Sequence, residues 1–158
     1  MLRRLLLVLL AGLAATTGRA VLGDTLTQLT QRIGSKPEPQ VQKNAAVWFF
    51  EVQDGRLAYN VTFDDKGRSI AEGLKPIRFA VFGRAAVENF ITAQVAPIKE
   101  SKTLRVLQPG DKYVFAGREF TCGKDEYVTV DDAHDFLVVW NRSPTAPSVI
   151  AIRSAMLK

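Results

Sequence analysis

The sequence predicts a mainly β, β-rich α+β fold: an antiparallel meander that forms a small barrel or sandwich, with one packed helix at about 84–96. Three observations predict it. Asp54-Gly55 separates two runs of strand-forming residues in VWFFEVQDGRLAYNVTF. Short alternating apolar runs recur between turn signals from Leu104 onward. One stretch, RAAVENFITAQV, carries apolar residues at helical spacing.

The first twenty residues, MLRRLLLVLLAGLAATTGRA, read as a cleaved signal peptide. Arg3 and Arg4 precede an uncharged run from Leu5 to Gly18, and Gly18 and Ala20 stand at the small-residue positions of a cut after Ala20. That run falls short of the roughly 20 apolar residues a membrane-crossing helix needs, so no transmembrane span is expected after cleavage. The unbroken block Leu5 to Leu10 separates it from a mitochondrial leader, which would distribute its basic residues around an amphipathic helix. The expected location is therefore outside the cytoplasm, periplasmic or secreted.

Removing the leader takes Arg3, Arg4 and Arg19 from the 21 basic residues and none of the 16 acids, leaving a net charge of +2 rather than +5. The remaining basic residues are scattered, so nucleic acid is not an expected partner. About 138 remaining residues suit one domain with one core. The lone Cys122 excludes an intramolecular disulfide, leaving packing to supply stability.

Residues 21–44 are expected to form a short helix and a Pro-containing linker. Asp24 can cap a helix in which Leu26, Leu29 and Ile33 share a face, Gly34 ends it, and Pro37 and Pro39 follow. The compact domain is expected to span 45–158. At its start, an Asp54-Gly55 turn would pair Val52 with Leu57, Phe50 with Tyr59 and Trp48 with Val61. Trp48, Phe50, Val52, Leu57, Tyr59, Val61 and Phe63 would then share one face. A one-residue shift in the turn is expected to turn that row outward.

Asp64 to Gly67 marks a turn, SIAEGLKP reads as irregular, and Ile77, Phe79 and Val81 alternate as a third strand. Gly83 opens the helix, whose Val87, Phe90, Ile91 and Val95 form a stripe for packing on a sheet. A single glycine between strand and helix is too little for a phosphate loop. Further strands follow at LRVLQ, KYVFA, REFTC, EYVTV, FLVVW and SVIAIR, with a Pro109-Gly110 turn after the first. Phe136 to Trp140 is continuously apolar and is expected to be buried on both faces.

Chemistry concentrates in EFTCGKDEYVTVDDAHD, which holds the only cysteine and the only histidine. A Cys122–His134 dyad requires the two within hydrogen-bond reach, but a strand over Glu126 to Val130 separates them by roughly 16 Å at about 3.3 Å per residue. Asp131, Asp132, His134 and Asp135 are the candidate metal ligands, since carboxylates and an imidazole can hold a divalent cation. The segment lacks zinc spacing and the EF-hand pattern, and aspartates in a turn also satisfy free backbone amides. No cofactor motif is present.

These features predict a non-catalytic binding module of the cell envelope or extracellular space, taking a small apolar ligand against Trp48, Phe50 and Tyr59 or a partner protein on an edge or loop. The alternatives are a structural or assembly protein docking through residues 24–44, and a Cys- or metal-dependent enzyme.

Overall fold

The computed structural model describes residues 21–39, 42–52, 55–77 and 82–157; the predicted leader lies outside them. The chain is mostly β, with one seven-stranded antiparallel sheet and one main helix. Its elements are helix α1 (Leu26–Ile33), strands β1 (Ala45–Val52), β2 (Gly55–Phe63) and β3 (Ser69–Ile77), and helix α2 (Arg84–Val95). Then come β4 (Arg105–Leu107), β5 (Lys112–Phe115), β6 (Arg118–Thr121), β7 (Glu126–Asp131), β8 (Phe136–Asn141) and β9 (Ser148–Ile152).

The strand order is β1-β2-β3-β9-β8-β7-β4, with β5-β6 as a separate hairpin. Two meanders thus meet at β3 and β9. Of the two predicted architectures the closed barrel is excluded, because β1 and β4 stand at opposite ends of the order. The alternation of side chains sorts the core into two layers. On one face Trp48, Tyr59, Val61, Leu74, Phe136, Val138 and Val149 pack with Leu29 of α1 and Val87 and Phe90 of α2. On the other, Val128, Val130, Leu137 and Ile152 pack beneath Tyr113, Phe115 and Cys122 of the β5-β6 region. Phe136 to Trp140 serves both layers, as its unbroken apolar run predicts.

The first hairpin carries a correction. Val52 pairs with Gly55 and Trp48 with Tyr59, so the strands are slid by two residues from the predicted register. Residues 53 and 54, between the strands, lie outside the described residues. A slide by an even number of residues leaves every side chain on its predicted face. The expected outward flip does not occur: Trp48, Leu57, Tyr59, Val61 and Phe63 are buried and Phe50 is half-buried. Only Val52, at the hairpin tip, is exposed.

The stretch read as irregular, SIAEGLKPI, is β3, hydrogen-bonded along β2. Its glycine and proline conceal it. Gly73 lies where a Cβ would stand 3.1 Å from the Val149 carbonyl oxygen. Pro76 lies beyond Leu74, the last β3 residue paired with β9, where its missing N–H costs no bond on that side. The predicted strand positions Phe79 and Val81 lie outside the described residues. A bulge at Ile70 is the other irregularity of β3, since Phe63 pairs with Ser69 while Thr62 pairs with Ala71. The extra residue brings Ser69 and Glu72, three apart in sequence, onto one face.

Residues before the expected boundary at 45 take part in the packing. Leu22, Leu29 and Ile33 belong to the core beneath the helices, so the packed unit includes α1. Thr25 rather than Asp24 caps α1, in a capping box with Gln28, and Gly34 ends it at φ 79° as expected. Its linker guards an edge strand. The Glu38 N–H donates to the Val47 carbonyl at 2.8 Å, between two prolines that have no N–H with which to extend a strand.

Candidate functional site

The polar centre of the molecule is Glu72, which is fully buried on the helix-covered face of β3. The bulge explains one partner: Ser69 Oγ donates to Glu72 Oε1 at 2.7 Å. β2 supplies the Tyr59 hydroxyl, donating to Oε2 at 2.7 Å, and α2 supplies Gln94 Nε2, donating to the same oxygen at 2.6 Å. Burial pushes the Glu72 carboxyl above its ordinary range, opposed by these three hydrogen bonds and reinforced by the charge of Asp24. Burial first, then the neighbouring Glu72 charge, pushes Tyr59 well up, which keeps its proton available for donation.

This cluster continues into the N-terminal segment. Gln94 Oε1 accepts from the Leu22 N–H at 3.0 Å, and Ser69 Oγ accepts from the Gly23 N–H at 2.9 Å. Asp24, 7% exposed, pairs with Arg32 of α1 at 2.7 Å. The network therefore ties the N-terminal segment, sheet and α2 together, and its donors and acceptors satisfy one another internally. Sequence reading missed it. A detectable signal was position: Glu72 lies two residues before the apolar Leu74, and Gln94 follows Val87 and Phe90 at spacings of seven and four, on the packed stripe.

The aromatic row falls beside this network. Trp48 is 2% and Tyr59 3% exposed, with ring centroids 5.8 Å apart, and Phe50 lies 6.5 Å from Tyr59. Trp48 Nε1 donates to the Ser35 carbonyl at 2.9 Å. These side chains fill the core instead of lining a ligand cavity. Among the described residues, open depressions lie beside Leu26 and Pro37 and beside Phe49 and Arg56.

The candidate metal ligands divide among separate tasks. Asp131, fully buried at the end of β7, accepts from Thr103 Oγ1 at 2.7 Å and lies 2.9 Å from His134 Nδ1. Although burial raises its carboxyl pKa, hydrogen bonds from Ser101, Thr103 and His134 hold it below the ordinary value. Asp135, at φ 52°, instead accepts from the Ser154 N–H at 2.7 Å, bracing the C-terminal turn. Asp132 and His134 are exposed. Among the described residues no group of three or more His, Cys, Asp or Glu side chains is placed to hold a metal ion.

Cys122 is 2% exposed in the second core layer, and β7 separates it from His134. Burial, then the charges of Glu126 and Asp111, push its thiol above the ordinary value, opposite to what a nucleophile needs. The fold thus keeps the thiol and imidazole apart.

The face opposite α1 and α2 has another character near β1. There Phe49 and Ile150 are each 37% exposed, and Val47 is half-buried. Register places Ala58 beside Phe49 and Gly73 beside Ile150, small residues with the exposed Asn60 between Val47 and Gly73. The Arg56 guanidinium stacks 5.2 Å from the Phe49 ring centre and pairs with Glu51 at 2.6 Å. No described helix is long and apolar enough to cross a membrane. No protein-family model matches the chain, and no curated protein or solved structure matches it.

Proposed function

We propose that this chain is an exported, non-catalytic binding module that engages a partner protein in the cell envelope or extracellular space. The observation carrying the reading is the face of β1–β3 and β9 opposite α1 and α2, where exposed Phe49 and Ile150 flank the small residues Ala58 and Gly73. Glu51, Arg56 and Lys75 lie around this patch. An aromatic and aliphatic centre with charged surroundings suits protein recognition.

Burial of Trp48 and Tyr59 favours a protein partner over an apolar ligand inside the sheet. Docking through residues 24–44 loses support because α1 commits Leu29 and Ile33 to the chain's own core. A photo-crosslinker at Val47, at the border of the patch, tests the reading in cells of the source. Phe49→Lys should abolish the partner adduct without changing the thermal midpoint. An unchanged adduct in that variant refutes the assigned face, and recovery of the chain solely from cytoplasm refutes export.

A further inference from the structure

The turn that precedes α1 is fixed at every residue. The Asp24 N–H donates to the Val21 carbonyl at 3.1 Å, and the Val21 N–H donates to Asp24 Oδ2 at 3.2 Å. Leu22 is 6% exposed in the core, with its N–H on Gln94. Gly23 donates to both the hydroxyl and the carbonyl of Ser69, each at 2.9 Å. Two arginines grip the segment from outside: Arg153 donates to the Leu22 carbonyl at 3.3 Å and Arg68 to the Gly23 carbonyl at 3.1 Å.

We infer that cleavage between Ala20 and Val21 creates an α-ammonium that Asp24 captures, so that processing locks the mature N-terminus to the sheet. This deepens the preceding proposal and rests on its export reading. In the cleavage, a peptidase adds water across the Ala20–Val21 amide. Ala20 leaves with a carboxylate that carries the water oxygen, and the Val21 nitrogen keeps the electron pair of the broken bond and takes up both protons of the water, becoming the α-ammonium. The nitrogen that becomes charged already faces a nearly buried carboxylate. Charge converts an ordinary N–H bond there into a charge-assisted one, which is roughly twice as strong.

The position of the cut follows from what each nitrogen faces. An ammonium at Leu22 would point to the neutral amide oxygen of Gln94, in the core, without the direct carboxylate partner that Val21 has. A cut before Ala20 would leave Val21 as an amide and waste the carboxylate. Small residues at Gly18 and Ala20 independently mark the same bond.

The charged groups around the new terminus are Asp24 in contact, Arg32 from α1 on the same carboxylate, Arg68 and Arg153 on the adjoining carbonyls, and Glu72 beneath. Asp24 is the direct partner, so it favours the protonated amine. A raised amine pKa contributes stability that is fully present below the ordinary value of about 7.7–8.0 and is lost as pH rises through the raised one.

N-terminal sequencing of protein recovered from the envelope or medium tests the cut. Val21 as first residue is expected, and any other first residue overturns the inference while leaving export intact. Uncleaved chain confined to the cytoplasm overturns both. Capture is tested on purified protein beginning at Val21 by NMR titration of a ¹⁵N-labelled terminal amine. It should bind its proton about tenfold more tightly than an ordinary α-amine, and Asp24→Asn should remove the gain. Because Asp24→Asn also removes the Asp24–Arg32 ion pair, a chain beginning at Ala20 is the second comparison: it keeps that pair but moves the charge, and should melt at a lower temperature at pH 7. An ordinary amine midpoint, or equal melting of the two chains, overturns capture.

Discussion

The Tyr59 hydroxyl donates to Glu72 Oε2 at 2.7 Å between β2 and β3, where the tyrosine is 3% and the glutamate 0% exposed. Removing the carboxylate leaves the Tyr59, Ser69 and Gln94 donors to find new partners inside the core. Glu72→Ala should cost about 3–5 kcal/mol in urea unfolding, as an orphaned buried network does. A loss under about 1 kcal/mol would mean that water or a rearranged chain replaces the carboxylate.

Acid and base should act on two buried carboxyls in opposite directions. Glu72 has a raised folded pKa, so its contribution is complete below the unfolded value of about 4.3 and is lost as pH rises through the folded one. Asp131 has a lowered pKa, so its contribution is present above about 3.9 and is lost as pH falls through the folded value. Unfolding free energies measured from pH 3 to 8 should show Glu72→Gln removing a decline toward neutral pH and Asp131→Asn removing one toward acid. Parallel profiles for both variants and the parent would contradict this assignment.

Neighbours in β1 should differ sharply. Trp48→Ala removes a side chain that is 2% exposed and should cost about 3–5 kcal/mol, whereas Phe49→Ala, at 37% exposure, should cost under about 1 kcal/mol. A Trp48/Tyr59 double-mutant cycle should give a coupling of about 0.5–1.5 kcal/mol, because the rings meet at 5.8 Å. Zero coupling would place the hairpin in another register.

Helix α1 provides the same kind of contrast. Leu29→Ala should cost about 2–5 kcal/mol and Leu26→Ala, 36% exposed, about 0.5 kcal/mol or less. Equal small losses in chemical denaturation would return α1 to the role of a detachable arm.

The β5-β6 turn holds Ala116 at φ 54° and Gly117 at φ 74°, closing Phe115 against Arg118. Alanine in the left-handed region costs about 1–2 kcal/mol, which asparagine partly avoids by bonding locally. Ala116→Asn should therefore raise stability by about 0.5–1 kcal/mol, measurable as a higher melting temperature. Ala116 packs against the second core layer, so a lower one would show that this contact outweighs the relief of backbone strain.

The second-half strands were legible because each is a short alternating or continuously apolar run between turn residues, information carried within five or six neighbours. The even slide of β1 on β2 likewise preserved the predicted buried face. β3 was hidden because Gly73 and Pro76 carry loop signals, while the sheet tolerates them at one close backbone approach and one unpaired end. The Glu72 site was hidden for a related reason. Its partners lie 3, 13 and 22 residues away, and only the bulge at Ile70 turns Ser69 toward it.

The sequence by itself determined the mainly β class, the α2 helix, most strand positions and the separation of Cys122 from His134. Local backbone preference and side-chain periodicity decide those properties. Tertiary structure alone decided that β3 joins β9, that the sheet remains open, that α1 belongs to the core and that the aromatic row is filled. Those outcomes depend on which surfaces meet across long stretches of chain, and burial energy between distant residues sets them.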